Sequence, residues 1–249
     1  MSSSFGNPAK VNDKGVEMEM KTNGIKRLEA ADLLIAILVL GSLWGVSEVV
    51  LGGAIKAAGL PYQSGILTGV GMAMMGIAVG VYRKPSMLAG VALVAILCKQ
   101  LVVPILHVSV MCKANSCLAL MLEGLALAGV VSLAGRKLER NHLAQIASGA
   151  LAALLAAASF YFIGMRVAPC RYLLSFNRPG GLVAFLTVEG LVWAIFSAIL
   201  FPAGYVVGAR LRDTVLALRM RRPLIYCTTS AALVVCCWVA SAFAIAAGL

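Results

Sequence analysis

The sequence predicts an all-α, polytopic membrane protein with seven transmembrane helices, its N-terminus in the cytoplasm and its C-terminus outside. Three observations carry this. Hydrophobic residues make up 61% and charged residues 12% of the 249 positions, with a mean hydropathy of +0.95. A soluble domain is about 45–50% apolar and about 25% charged. The apolar segments are close to the roughly 20 residues a bilayer core requires, and they lack the period-2 alternation of a membrane barrel. The basic loop residues fall into two alternating sets, fifteen on one side and five on the other. The richer side faces the cytoplasm. The net charge of +11 is therefore a topology signal and calls for no nucleic-acid partner.

Taken in order, residues 1–28 are polar and rich in Ser, Gly, Asn and Lys. They have no apolar period and read as a disordered cytoplasmic tail. They do not read as a signal peptide, because the apolar run that follows is too long and carries Glu48. Residues 29–249 are expected to form a single transmembrane domain. Its spans run over about 30–55, 65–82, 86–107, 116–135, 143–165, 181–208 and 224–248. Pro104 and Pro202 are expected to kink or loosen the third and sixth. The basic stretch 209–222 reads as a segment lying on the inner membrane surface. Small residues recur every four positions, at Gly65, Gly69 and Ala73, at Gly76 and Gly80, at Ser148, Ala152 and Ala156, and at Gly204 and Gly208. Such rows let helix backbones approach closely, and packing within the chain is the expected use.

Ionisable groups inside the spans carry the functional content, because charge at membrane depth is costly and is seldom kept without a purpose. Glu48 lies eight residues before Lys56, and Lys99 eight before His107. Glu123 lies seven after Ser116, and Glu189 eight after Gly181. At about 1.5 Å per residue all four sit about 10–12 Å below the outer surface. Helices four and six share a local pattern around their carboxylates, Leu120-Met121-Leu122-Glu123-Gly124-Leu125 and Leu186-Thr187-Val188-Glu189-Gly190-Leu191. Trp44 stands four residues from Glu48, and Trp193 four from Glu189, each one turn deeper than its carboxylate. Phe185 lies one turn shallower than Glu189. Carboxylates above an aromatic floor suit an organic cation or a flat heterocycle with polar edges. The ligand-binding set is thus Glu48, Lys99, Glu123, Glu189, Trp44, Trp193 and Phe185. The competing reading is that Lys99 pairs with one Glu and the layer only fixes packing.

With its short polar tail, Gly- and Ala-rich helices and outward-facing polar pocket, the chain resembles the substrate-binding S component of energy-coupling factor (ECF) transporters. The resemblance covers about residues 30–208, the first six helices, and leaves the seventh as an addition. Gly41 and Gly45 supply a small-residue pair at the spacing of the S-component contact on the first helix. The resemblance implies capture of a vitamin-like solute from outside. It also implies partnership with a T component and ATPase subunits, since this chain has no phosphate-binding Gly-rich loop. The His-rich N-terminal motif of the metal-binding branch is absent from the sequence.

Other classes follow from other residues. A stand-alone, proton-driven secondary transporter would use Glu48, Glu123 or Glu189 as its relay. A non-transporting subunit or assembly factor would use the buried charges structurally. No Gly-x-Ser-x-Gly or His-Glu-x-x-His occurs, so no enzyme is expected, and no metal or cofactor either. His107 and His142 fall on opposite sides, against a bis-His haem. Cys112 and Cys117 lie in or near an external loop, where a disulfide is permitted. The expected location is the inner (cytoplasmic) membrane, surrounded by lipid.

Overall fold

A computed structural model describes residues 13–248. The helices are α1 (Asp13–Ala57), α2 (Gln63–Tyr82), α3 (Met87–Lys99), α4 (Val102–Leu106), α5 (Ala114–Ala134) and α6 (Lys137–Arg140). They continue with α7 (His142–Val167), α8 (Arg171–Leu174), α9 (Gly181–Phe185), α10 (Leu191–Arg221) and α11 (Pro223–Ala246). Among the described residues there is no strand, and seven segments are long and apolar enough to cross a membrane. The protein is an all-α, multi-pass membrane protein. The chain divides into two units, Met1–Leu34 and Ile35–Leu249. The bundle core and the intramembrane charges belong to the second. Of the tail expected over 1–28, residues 1–12 lie outside the described residues, and from Asp13 the backbone is helical.

Proline chemistry explains one break and one stop. Pro104 has no N–H to offer the carbonyl four residues back, and its ring clashes with that carbonyl. The carbonyl belongs to Gln100, and the third span breaks at Gln100 and Leu101, between α3 and α4. Gln100 O instead accepts from Val103 N at 3.0 Å. Pro202, by contrast, sits within an uninterrupted α10. The stretch 209–222, expected as a separate surface segment, is the continuation of that helix as far as Arg221. The stop comes at Arg222 (φ −141°, ψ 64°), because the residue before a proline, here Pro223, is disfavoured in the α region.

The centre of the bundle is the contact of α2 with α10. A Cβ on Gly76 would stand 2.6 Å from Phe201 O, and one on Gly80 2.5 Å from Tyr205 O. One on Gly204 would overlap Ala73 O, and one on Gly208 would overlap Ile77 O. The two backbones thus touch along one line, as the small-residue rows predict. Helix α7 joins them through Gly149, whose Cβ would stand 2.5 Å from Ser197 O, and through the buried Ala152, Ala153, Ala156 and Ala157. Gly41 and Gly45 pack inside the protein, against Val91, Val94 and Cys98 of α3. Helix α11 is tied to α1 by Trp238 Nε1 donating to Ser42 Oγ at 2.9 Å, and to α3 by Cys98 and Ser241 at 3.1 Å.

Two contacts place the alternate loops at one end. Arg83, after α2, pairs with Glu139 of α6 at 2.8 Å. Tyr82 and Tyr226, at the end of α2 and the start of α11, bring their hydroxyls within 3.5 Å.

Candidate functional site

The four intramembrane charges resolve into two groups, which meet α2 one helical turn apart, at Thr68 and at Ser64. The first joins α1, α3 and α5. Glu48 Oε2 accepts from Lys99 Nζ at 2.6 Å. Its Oε1 accepts from Trp44 Nε1 at 3.3 Å, one helical turn away. The pair is withdrawn from solvent, with side chains only 13% (Lys99) and 4% (Glu48) exposed. The break at Gln100 follows directly after Lys99, so the third span loses its helical frame where it delivers the ammonium. Gln100 Nε2 donates to Cys117 Sγ of α5 at 3.1 Å.

Glu123 lies beside this pair. It is buried, and both Glu48 and Lys99 act on it electrostatically. Its Oε1 accepts from Thr68 Oγ1 of α2 at 3.0 Å. Its Oε2 is buried and has no partner among the described residues. A buried polar atom without a partner costs free energy and calls for an explanation, such as a ligand, an ion or a proton.

Glu189 stands in the second group. It sits in a π-turn, Leu186–Gly190, in which Leu191 N reaches back to Leu186 O. Such turns interrupt α-helices, frequently at functional sites. Oε2 accepts from Ser64 Oγ of α2 at 2.5 Å, and Oε1 from the Tyr172 hydroxyl of α8 at 2.5 Å. Partial burial, then the hydrogen bond to Glu189 and its charge, hold the Tyr172 phenol proton well above the usual tyrosine range. Tyr172 therefore remains a donor across neutral pH. Beside Glu189 lies an open pocket of about 340 Å³, with Leu60, Val188 and Val192 as apolar walls and Tyr62, Gln63, Ser64 and Glu189 as polar ones. Tyr62, in a left-handed backbone conformation (φ 63°), turns the chain into α2 at its rim.

The three aromatics of the expected ligand-binding set, Trp44 and Trp193 as its floor and Phe185 on the shallower side, are core residues, and none of them lines this pocket. Trp44 is fully buried, its ring lying over Gly71 of α2, where a Cβ would come within 2.5 Å of it. Phe185 and Trp193 pack on Phe160 of α7 at ring-centroid distances of 6.2 and 6.1 Å. Phe185 also touches Tyr161 and Phe176. Trp193 Nε1 is buried without a partner among the described residues.

Three contributors do not stand out in the sequence as charges do. Ser64 and Thr68 lie one turn apart on α2, and each meets a different carboxylate. A hydroxyl pair at i, i+4 in an apolar span is the signal that reveals them. Tyr172, on a loop helix, carries no such signal. Cys117 is a free thiol, and the Cys112 side chain, its candidate disulfide partner, lies outside the described residues. Among the described residues no group of three or more His, Cys, Asp or Glu side chains is placed to hold a metal ion. No family model matches the chain, and no curated protein or solved structure matches it either.

Proposed function

We propose that this chain is a membrane-embedded binding protein of the cytoplasmic membrane that takes up a small solute, vitamin-like or an organic cation, from the external side. The observation that carries the reading is Glu123. Its carboxyl group is buried beside the Glu48–Lys99 pair, with one oxygen left without a partner among the described residues and open to a ligand. Resemblance to S components extends the reading to a T component and ATPase subunits as the energy source. The pair Gly41 and Gly45 is used within the bundle, against α3, so a T component would dock on another face.

Native mass spectrometry of the purified protein tests this. A small molecule should co-purify and be lost from Glu123→Gln. Removing one partner of a desolvated charged contact costs about 2–5 kcal/mol, roughly 30-fold or more in affinity. Ligand retained in Glu123→Gln, together with a lowered melting temperature, would assign the layer a structural role instead.

A second reading, proton-coupled secondary transport, is favoured by the order of groups along α2. Glu189 meets Ser64, Thr68 meets Glu123 one turn further on, and Glu123 feels Glu48 and Lys99. Acids and hydroxyls in series are what an intramembrane proton relay uses. Uptake into liposomes energised by a pH gradient alone would select this reading, and uptake requiring ATPase partners would reject it.

A further inference from the structure

We infer that the pocket beside the π-turn is a binding site for a primary ammonium ion carrying a short apolar group, and that Glu189 is its counter-ion. The inference rests on the reading of solute capture from outside and adds to it a site and a chemical class. Glu189 is the one charged side chain among the lining residues, so the pocket favours a cation and repels an anion. Its two oxygens each accept one hydrogen bond, from Ser64 and Tyr172. An ionised carboxylate offers about four lone-pair sites, so about two remain for a ligand with N–H donors.

Gln63 directs its amide Nε2 away, to Gly52 O at 2.9 Å, and the Ser64 proton is spent on Glu189. The Ser64 proton and one Gln63 amide proton are thus spent, and the lone charge left in the polar wall is the Glu189 carboxylate, which an ammonium matches and a carboxylate or phosphate does not. Leu60, Val188 and Val192 form the apolar remainder and suit a hydrocarbon group. A calcium ion is a poor fit, since it takes about 6–8 oxygen ligands and the pocket supplies a single carboxylate. The hydroxyls of Ser64 and Tyr172 hold the Glu189 carboxylate in place before any ligand arrives, which lowers the cost of ordering it on binding.

The test is calorimetry on the purified full chain at neutral pH, with benzylammonium, benzyl alcohol and benzoate as probes. Benzylammonium should bind, and the alcohol and the acid should bind at least about tenfold more weakly, a difference of about 1.4 kcal/mol. Glu189→Gln should lose benzylammonium by a similar factor. Glu139→Gln, at the opposite end of the bundle, should keep it. Val188→Trp fills the pocket without touching the carboxylate and should also abolish binding, which decides the matter if Glu189→Gln does not fold. Equal affinity for ammonium and alcohol, or undiminished binding in both Glu189→Gln and Val188→Trp, would overturn the site, as would no binding to the wild-type protein. Flux of benzylammonium into liposomes is measured separately. Glu189-dependent binding without flux through the chain alone upholds the site and counts against stand-alone transport, whereas flux indifferent to Glu189 overturns the site and leaves uptake standing.

Discussion

Lys99 Nζ stands 2.6 Å from Glu48 Oε2 and fastens the third span to the first where the third span breaks. Breaking a buried pair by removing one partner costs about 3–5 kcal/mol, while replacing both with apolar groups of similar volume is often neutral. Lys99→Met alone and Glu48→Leu alone should each strongly lower the melting temperature in detergent. The double variant should recover most of the loss. Additive losses in the double variant would show that the two side chains do not act as a pair.

The α2–α10 contact predicts a sharp contrast between glycines. Gly204→Ala drives a Cβ into Ala73 O, and overpacking of this kind costs about 1–3 kcal/mol or more. Gly129→Ala meets nothing within 4 Å and, in a helix interior, should stabilise by about 0.5–1 kcal/mol. Thermal unfolding of both variants checks the pair, and equal melting temperatures would contradict the backbone contact.

Tyr172 gives a pH signature. Burial and Glu189 raise its pKa in the folded protein, so folding favours the protonated phenol. That contribution is complete below the ordinary tyrosine value of about 10 and is lost as pH rises through the higher folded value. The stability advantage of the wild type over Tyr172→Phe should therefore shrink above about pH 10. A constant gap across that range would show that the hydroxyl does not titrate with folding.

Orientation is open to a direct check. A reporter active only outside the cytoplasm should work when fused after Leu249 and fail after Arg140, given fifteen basic loop residues against five. In a Cys170→Ser background, an impermeant thiol reagent should modify the free Cys117 from outside without prior reduction. The reverse fusion pattern would turn the Glu189 pocket to the cytoplasm. Labelling of Cys117 only after reduction would show that it is disulfide-bonded in the cell.

The seven spans are legible because length and hydropathy alone define them. Depth is less so: counting from each span's end puts Glu48, Lys99, Glu123 and Glu189 in one layer, whereas Glu189 meets Ser64 at the start of α2 and Glu123 meets Thr68 one turn further on. Partners are not legible, because partner choice depends on rotation about each helix axis, and helices that are apolar on every side carry no periodicity to fix it. Thus Lys99 could be assigned to a Glu but not to Glu48, and Glu189 looked equivalent to Glu123 although Ser64 and Tyr172 hold it apart. The break at Gln100 follows from Pro104. Nothing in Leu186–Gly190 announces a π-turn.

That turn has a consequence for angular phase. Phe185 and Trp193 are eight residues apart, and in an uninterrupted helix at about 100° per residue they would point about 80° away from each other. The π-turn absorbs one residue, so they behave as if seven apart and differ by only about 20°. Both can then rest on one ring, as they do on Phe160 at 6.2 and 6.1 Å. Deleting a single residue from Leu186–Gly190 would remove the turn and its presentation of Glu189, yet leave Phe185 and Trp193 seven residues apart in a regular helix and still about 20° apart. The helical defect that presents the carboxylate thus leaves the aromatic stack in register.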